Sequence, residues 1–145
     1  MSDQNRALVT RFFAEVCNGR KLSAADEIFA SNHVHHDPGN PQIGAGPDGI
    51  KELVSIYQTA FPDAHWTIEQ MIAEGDTVVT RWTGHGTHQG DLAGLAPTGR
   101  KVTVAGVWIH RIANGKVTES WDVWDTYGML KSLGVIAAPG AAAAR

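Results

Sequence analysis

Residues 101–125 read KVTVAGVWIHRIANGKVTESWDVWD, and this stretch decides the fold. Val, Ile, Thr and Trp recur through it with a period of two. They flank Asn114-Gly115, a dipeptide suited to the positive-φ positions of a two-residue hairpin turn. Two long antiparallel strands follow, over residues 101–112 and 116–125. A two-residue loop sets Ile112 opposite Val117, His110 opposite Glu119, Trp108 opposite Trp121 and Val104 opposite Asp125. One face of the pair then carries Val104, Gly106, Trp108, His110, Ile112, Val117, Glu119, Trp121, Val123 and Asp125. The other carries Thr103, Ala105, Val107, Ile109, Thr118, Ser120, Asp122 and Trp124. Neither face is plainly polar, so both need cover, one from helices and the other from a partner subunit. Two tryptophans, a histidine and two carboxylates among aliphatics suit a lined pocket. They equally suit a closed core whose polar groups find backbone partners.

The same period runs upstream. Residues 66–73 and 77–88 predict a hairpin around Glu74-Gly75-Asp76, followed by a loop over 90–100 that contains Pro97-Thr98-Gly99. Before residue 64 the period is helical. Leu8, Val9, Phe12, Phe13, Val16 and Cys17 predict a helix over 3–18 that stops at Asn18-Gly19. A shorter helix follows Ser23, whose spacing to Asp26 fits a capping box, with Ala25, Ile28 and Phe29 inward. Residues 32–38, NHVHHDP, are too short and too polar for a helix, and 39–46 form a Gly/Pro loop. Pro47 and Asp48 open a third helix with Ile50, Leu53, Val54, Tyr57 and Phe61 as its apolar stripe. A short helix is expected over 126–133. Residues 137–145 form a low-complexity Ala/Gly/Pro tail expected to be disordered. Helices followed by a meander of strands make an α+β fold, one domain over residues 1–136.

Composition narrows the function classes. The chain has 145 residues, 43% of them hydrophobic, and its 19% charged residues lie below the roughly 25% of an average globular protein. Such a chain buries a core. Its net charge is −3 with scattered basic residues, which gives no footprint for nucleic acid. No apolar run spans a bilayer and the N-terminus lacks a signal pattern, so a cytoplasmic protein without membrane contact is expected. The single cysteine, Cys17, excludes an intrachain disulfide and reads as a buried structural thiol. His33-x-His35-x-Asp37 matches the start of a binuclear hydrolase signature. Pro38 stands where the next histidine belongs, however, and no other ligand set has a familiar spacing, so no metal is expected.

Seven histidines and five tryptophans remain to be explained. Trp66, Trp82, Trp108, Trp121 and Trp124 are core residues or flat walls for a planar, polycyclic ligand, with Tyr57 and Met71 as further wall candidates. His88 shares a strand face with Trp82, and either it or His85 is expected at the mouth of such a pocket.

Several local strings carry a resemblance. They are His36-Asp37-Pro38, Gly46-Pro47-Asp48-Gly49-Ile50 and Gly86-Thr87-His88-Gln89-Gly90. Pro97-Thr98-Gly99-Arg100, Asn114-Gly115-Lys116, Trp121 through Asp125, Gly128-Met129-Leu130 and Leu133-Gly134 follow. In this order the chain resembles the NTF2-like superfamily and, within it, the SnoaL-like polyketide cyclases (ester cyclases). The resemblance implies a cone of N-terminal helices packed on a curved antiparallel sheet, and a homodimer formed through that sheet. It implies intramolecular aldol ring closure of a hydrophobic, polycyclic, polyketide-like substrate, with no metal or cofactor. It also implies a last-strand aspartate acting as acid/base, matched here by Asp125, with His36 and His110 as the matching histidines. Trp108, Trp121, Tyr57, Trp82 and His88 are the expected substrate-binding residues.

Each role has a structural counterpart. Asp125 beside Trp121 and Val123 would have a raised pKa suited to a carbon acid, and it would equally cap a helix starting at Thr126. His36 would stabilise an enolate or hold Asp125, or be a polar loop residue. His110 lies six residues, roughly 20 Å, from the partner of Asp125. It therefore suits a pairing with Glu119 or a distal substrate group. The rival enzymes on this scaffold are a dehydratase, an isomerase or an epoxide hydrolase, the last using Arg81, Asp125 and Asp122. The rival from another class is a non-catalytic small-molecule-binding protein, which an exposed Asp125 would favour.

Overall fold

The computed structural model describes residues 2–137. The first helix, α1 (Ser2–Arg11), continues as a π-helical segment, Phe12–Asn18, so the expected helix is present but widens at Phe12. Such wide turns cluster at functional sites. Here Phe12, Phe13, Val16 and Cys17 are all buried. A 3₁₀ turn, Leu22–Ala24, leads into α2 (Ala25–Ile28). The expected capping box does not form, because Ser23 lies inside the 3₁₀ turn and no side chain caps α2. Helix α3 (Gly46–Ala60) carries Pro47 and Asp48 in its first turn, as predicted.

Five strands form the sheet: β1 (Phe29–His36), β2 (His65–Glu74), β3 (Thr77–Thr87), β4 (Lys101–Ala113) and β5 (Lys116–Trp124). The last helix is α4 (Thr126–Ser132). Strand order is β1-β5-β4-β3-β2. Strands β2 to β5 are the expected antiparallel meander. β1 adds a fifth strand, parallel to β5, in the stretch that begins at the supposedly helical Phe29. Its period was hidden because the buried side of β1 carries His33 and His35 while the exposed side carries Val34. The expected Ala/Gly/Pro tail lies, from residue 138 on, outside the described residues.

The register of the β4–β5 hairpin differs from expectation in a way that changes the site. Ile112 pairs with Val117 and Ala113 with Lys116, as the Asn114-Gly115 turn requires. Thr118 is then an extra residue, and Arg111, not His110, pairs with Glu119. The Thr118 hydroxyl donates to the Arg111 carbonyl across this bulge. One inserted residue moves every later side chain to the opposite face. Trp108 therefore faces Asp122, His110 faces Ser120 and Gly106 faces Trp124. Glu119, Trp121 and Val123 turn to the outer side, against the face expected for them.

The inner face of the sheet packs on the π-helical segment and α3. Phe12 is at the centre, with edge contacts to Phe13, Phe29 and Trp108 at centroid distances of 5.3, 5.3 and 5.5 Å. Gly106 makes room for an indole, since a Cβ there would lie 2.4 Å from the Trp82 ring. Among the described residues, no helix is long and apolar enough to cross a membrane.

Candidate active site

Between the helices and the inner face of the sheet lies a cavity that opens to solvent at its mouth. Phe12, Phe13 and Cys17 form one wall, and Leu53, Val54 and Tyr57 of α3 another. Trp82, Trp108 and Trp124 supply the sheet side, with Trp66, His85 and Gly86 also on the lining. Of the expected wall residues, Trp66, Trp82, Trp108, Trp124 and Tyr57 are on this lining, and Trp121 and Met71 are not.

One carboxyl lines this cavity among the described residues, and it is Asp122. It is 5% exposed, and its Oδ1 has no hydrogen-bond partner among the described residues. Burial pushes its pKa well above the free-carboxyl value, and the negative Asp37 nearby adds to the shift. A shift in this direction favours the protonated form, the one able to donate a proton to a substrate. The bulge at Thr118 places it there, and nothing in the local sequence announces that bulge.

Behind the wall a hydrogen-bonded chain runs from Asp37. In the Asp37-Pro38-Gly39-Asn40 turn, Asp37 Oδ1 accepts from the Gly39 N–H at 2.8 Å and Oδ2 from Asn40 Nδ2 at 2.9 Å. The Trp124 indole donates to the same carboxylate at 3.3 Å. Burial opposes the charge on Asp37, but these donors and the His35 ring, 3.8 Å away, outweigh it and keep the pKa low. Tyr57 Oη donates to Asn40 Oδ1 at 2.9 Å. Burial first, then the two aspartates, pushes the Tyr57 phenol up to about 12 despite that hydrogen bond, so it stays protonated.

Three histidines lie deeper. His110 is fully buried and stacks on Trp108 at 4.9 Å, with neither ring nitrogen partnered among the described residues. Burial, reinforced by His33 and His35, lowers its pKa to about 3. His33, held to Ser120 Oγ at 2.8 Å, is lowered to about 4, mainly by burial. Both are neutral. His110 supports Trp108 from behind and is absent from the cavity lining. Its expected pairing with Glu119 is corrected by the bulge.

The other candidates lie elsewhere. Asp125 is exposed and caps α4, its Oδ1 accepting from the Gly128 N–H at 2.8 Å. That corrects its expected place in the pocket: the register shift turns it away, and only the capping role has a partner. His36 is also exposed on the outer face, 2.7 Å from Glu119 and stacked on Trp121 at 5.3 Å. Arg111 lies over the same Trp121 ring. Neither His36 nor Trp121 lines the cavity. His88 is buried, but its Nδ1 accepts from the Thr98 N–H at 3.1 Å, so it fastens the two ends of the 88–100 loop. His85, not His88, is on the lining. Arg81 is exposed beside Gln70, so the triad of an epoxide hydrolase is not assembled. Cys17 is buried as expected, and burial raises its thiol pKa. Among the described residues, no group of three or more His, Cys, Asp or Glu side chains is arranged to hold a metal ion.

The sequence carries a signal for Asp37 and none for Asp122. Asp-Pro-Gly-Asn is a turn string whose first side chain folds back on its own backbone. Asp122 alternates with Ser120 and Trp124, and only the register decides which set faces inward.

Comparison with known proteins agrees with this architecture. The family profile "SnoaL-like polyketide cyclase" matches residues 7–133. Nogalonic acid methyl ester cyclase of Streptomyces nogalater is 32% identical over 108 residues, covering 70% of this chain and 81% of that one. The crystal structure of AclR, a candidate hydroxylase of Streptomyces galilaeus, superposes with a TM-score of 0.83 at 28% identity, covering 99% and 90%. That of a candidate polyketide cyclase from Acidithiobacillus ferrooxidans gives 0.81 at 31%, covering 94% and 99%. A profile match across most of the residues, together with a cone that encloses one carboxyl among indoles, leads to one conclusion: the chain belongs to the SnoaL-like polyketide cyclase family.

Proposed function

We propose that the protein closes a carbocycle in a polycyclic polyketide ester by intramolecular aldol addition, with Asp122 as the proton-exchanging carboxyl. The observation that carries this reading is a buried carboxyl, the one on the lining among the described residues, set in an aromatic cavity where burial raises its pKa. The carbon between two carbonyls reacts through its enol form and attacks a ketone carbon of the same molecule. As the C–C bond forms, Asp122 gives its proton to the ketone oxygen and takes the enol O–H proton on its other oxygen, which restores it. Atoms and charge balance, so the product is an isomer of the substrate. Indole walls hold the chain folded so that the two carbons meet, which supplies much of the acceleration. The exposure of Asp125 taken alone favours a purely binding protein, and the buried carboxyl of Asp122 on the cavity is what supports an enzyme instead. The neighbouring fold of a candidate hydroxylase shows why the reaction has to be argued from the site.

The test uses nogalonic acid methyl ester, the compound named for a relative, and follows conversion by chromatography and mass. A product of unchanged mass is expected from the wild type. Asp122→Asn should lower kcat by roughly 10²- to 10⁴-fold, as loss of an acid/base group does. Asp125→Asn, which keeps a good cap, should stay within about twofold of wild type. A fully active Asp122→Asn variant would sink the assignment, and a product lighter by one water would indicate a dehydratase instead.

The compartment this reading implies is the cytoplasm. The partner is a second copy of the chain on the outer face of the sheet, where Val34, Ile72 and Val123 are exposed.

A further inference from the structure

The hydrogen-bonded chain behind the cavity has a fixed direction, and that direction reaches the substrate. A carboxylate accepts and cannot donate. Asp37 receives the Gly39 N–H and the Trp124 indole N–H as well as the Asn40 side chain. With two N–H donors already converging on it, Asp37 is ionised, and Asn40 must present its NH₂ to it. The Asn40 oxygen then points the other way, 2.9 Å from Tyr57 Oη. An amide oxygen only accepts, so the single Tyr57 proton is committed to Asn40. What Tyr57 offers the cavity it lines is oxygen lone pairs.

We infer that Tyr57 is a specificity-determining residue that acts as an obligate hydrogen-bond acceptor and selects substrates presenting a hydroxyl donor at this wall. This rests on the cavity being the substrate site and deepens that reading by naming a feature of the substrate class. A phenolic or enolic hydroxyl satisfies Tyr57. The corresponding methyl ether or bare carbonyl leaves two oxygens facing each other without a proton between them. Burying unpaired acceptors is penalised, so discrimination comes from rejection as much as from attraction. Asp122 lines the same cavity as Tyr57, so the selected hydroxyl and the proton-exchanging group share one site.

The experiment measures binding of 2-naphthol and 2-methoxynaphthalene by equilibrium dialysis. The two probes share a ring system and an oxygen acceptor, and only the first can donate. Wild type should bind 2-naphthol roughly five- to tenfold more tightly, the size of one neutral hydrogen bond. Tyr57→Phe should lose that preference, which also controls for the bulk of the extra methyl. Asn40→Ala frees the Tyr57 proton, so 2-methoxynaphthalene should tighten several-fold toward 2-naphthol. Equal binding of the two probes by wild type overturns the inference, as does a preference that survives in Tyr57→Phe. If Asn40→Ala fails to fold, the Tyr57→Phe comparison decides alone. Neither reading needs turnover: a fully active Asp122→Asn variant defeats the cyclase mechanism and leaves the probe preference standing.

Discussion

Asp122, His33 and His110 are titratable side chains that the fold holds uncharged, and they move stability with pH in opposite directions. Asp122 keeps its proton in the native state well above 3.8, the value it has when free. Above pH 3.8 the native state therefore binds more protons than the unfolded chain, and stability falls as pH rises until Asp122 ionises. The histidines have native values near 3 and 4 against 6.5 when free. They bind fewer protons when folded, so their contribution is complete above pH 6.5 and is lost on acidification through that window. Each full proton is worth about 1.4 kcal/mol per pH unit. Two histidines outweigh one carboxyl, so stability should rise as pH climbs toward 6.5, but less steeply than the histidines alone would give. Urea midpoints between pH 4.5 and 8 test this. Asp122→Asn should gain stability over wild type by an amount that grows with pH from 3.8 until Asp122 ionises. Superimposable profiles for the two proteins would show that Asp122 is not held neutral.

At the scale of elements, the site depends on one residue of β5. Deleting Thr118 restores the register that a plain hairpin would adopt. It turns Asp122 and Trp124 to the outside and brings Trp121 and Val123 in. That variant should lose all turnover and most of its soluble yield. Thr118→Ala keeps the residue count, loses only a hydrogen bond to Arg111, and should cost about 1 kcal/mol with activity retained. Comparable behaviour of the two variants, read by thermal melting and turnover, would remove the bulge from the explanation. This is also where legibility ended. Helix α3, all four meander strands, the Asn114-Gly115 turn and the cap of α4 could be read from period and turn chemistry. The bulge could not, because both registers put one tryptophan of β5 on the inner face and the other on the outer face, so hydrophobic patterning ranks them equally. β1 was missed for a related reason: its inward residues are histidines, and inverted polarity removes the alternation that marks a strand. Tyr57, Trp82 and Trp108 were legible as walls because each lies on an apolar stripe that either register leaves intact.

The whole molecule leaves one face of its sheet unexplained by its own chain. The helices cover the inner face. On the outer face, Val123 is 62% exposed, Ile72 53% and Val34 45%, with Val107, Ile109 and Trp121 half-buried near them. Apolar residues spread over four strands are a larger exposure than a monomer usually keeps. The polar groups among them carry both signs, since Arg111 meets Glu119 at 3.2 Å and Glu119 meets His36 at 2.7 Å. A patch that holds cation and anion side by side can face its own copy across a two-fold axis without like charges opposing. A sheet face of this kind can approach the roughly 1,600 Å² of total burial typical of a stable interface. The expected state is therefore a dimer at tens of micromolar, measured by light scattering on a sizing column. Val123→Arg puts a charge into the apolar part of that face and should yield a monomer with its helical circular dichroism unchanged. The cavity opens between the helices and the inner face, so a folded Val123→Arg monomer should still show the 2-naphthol preference of the dimer. A wild-type monomer at those concentrations would leave the apolar outer face to another partner and end the case for self-association.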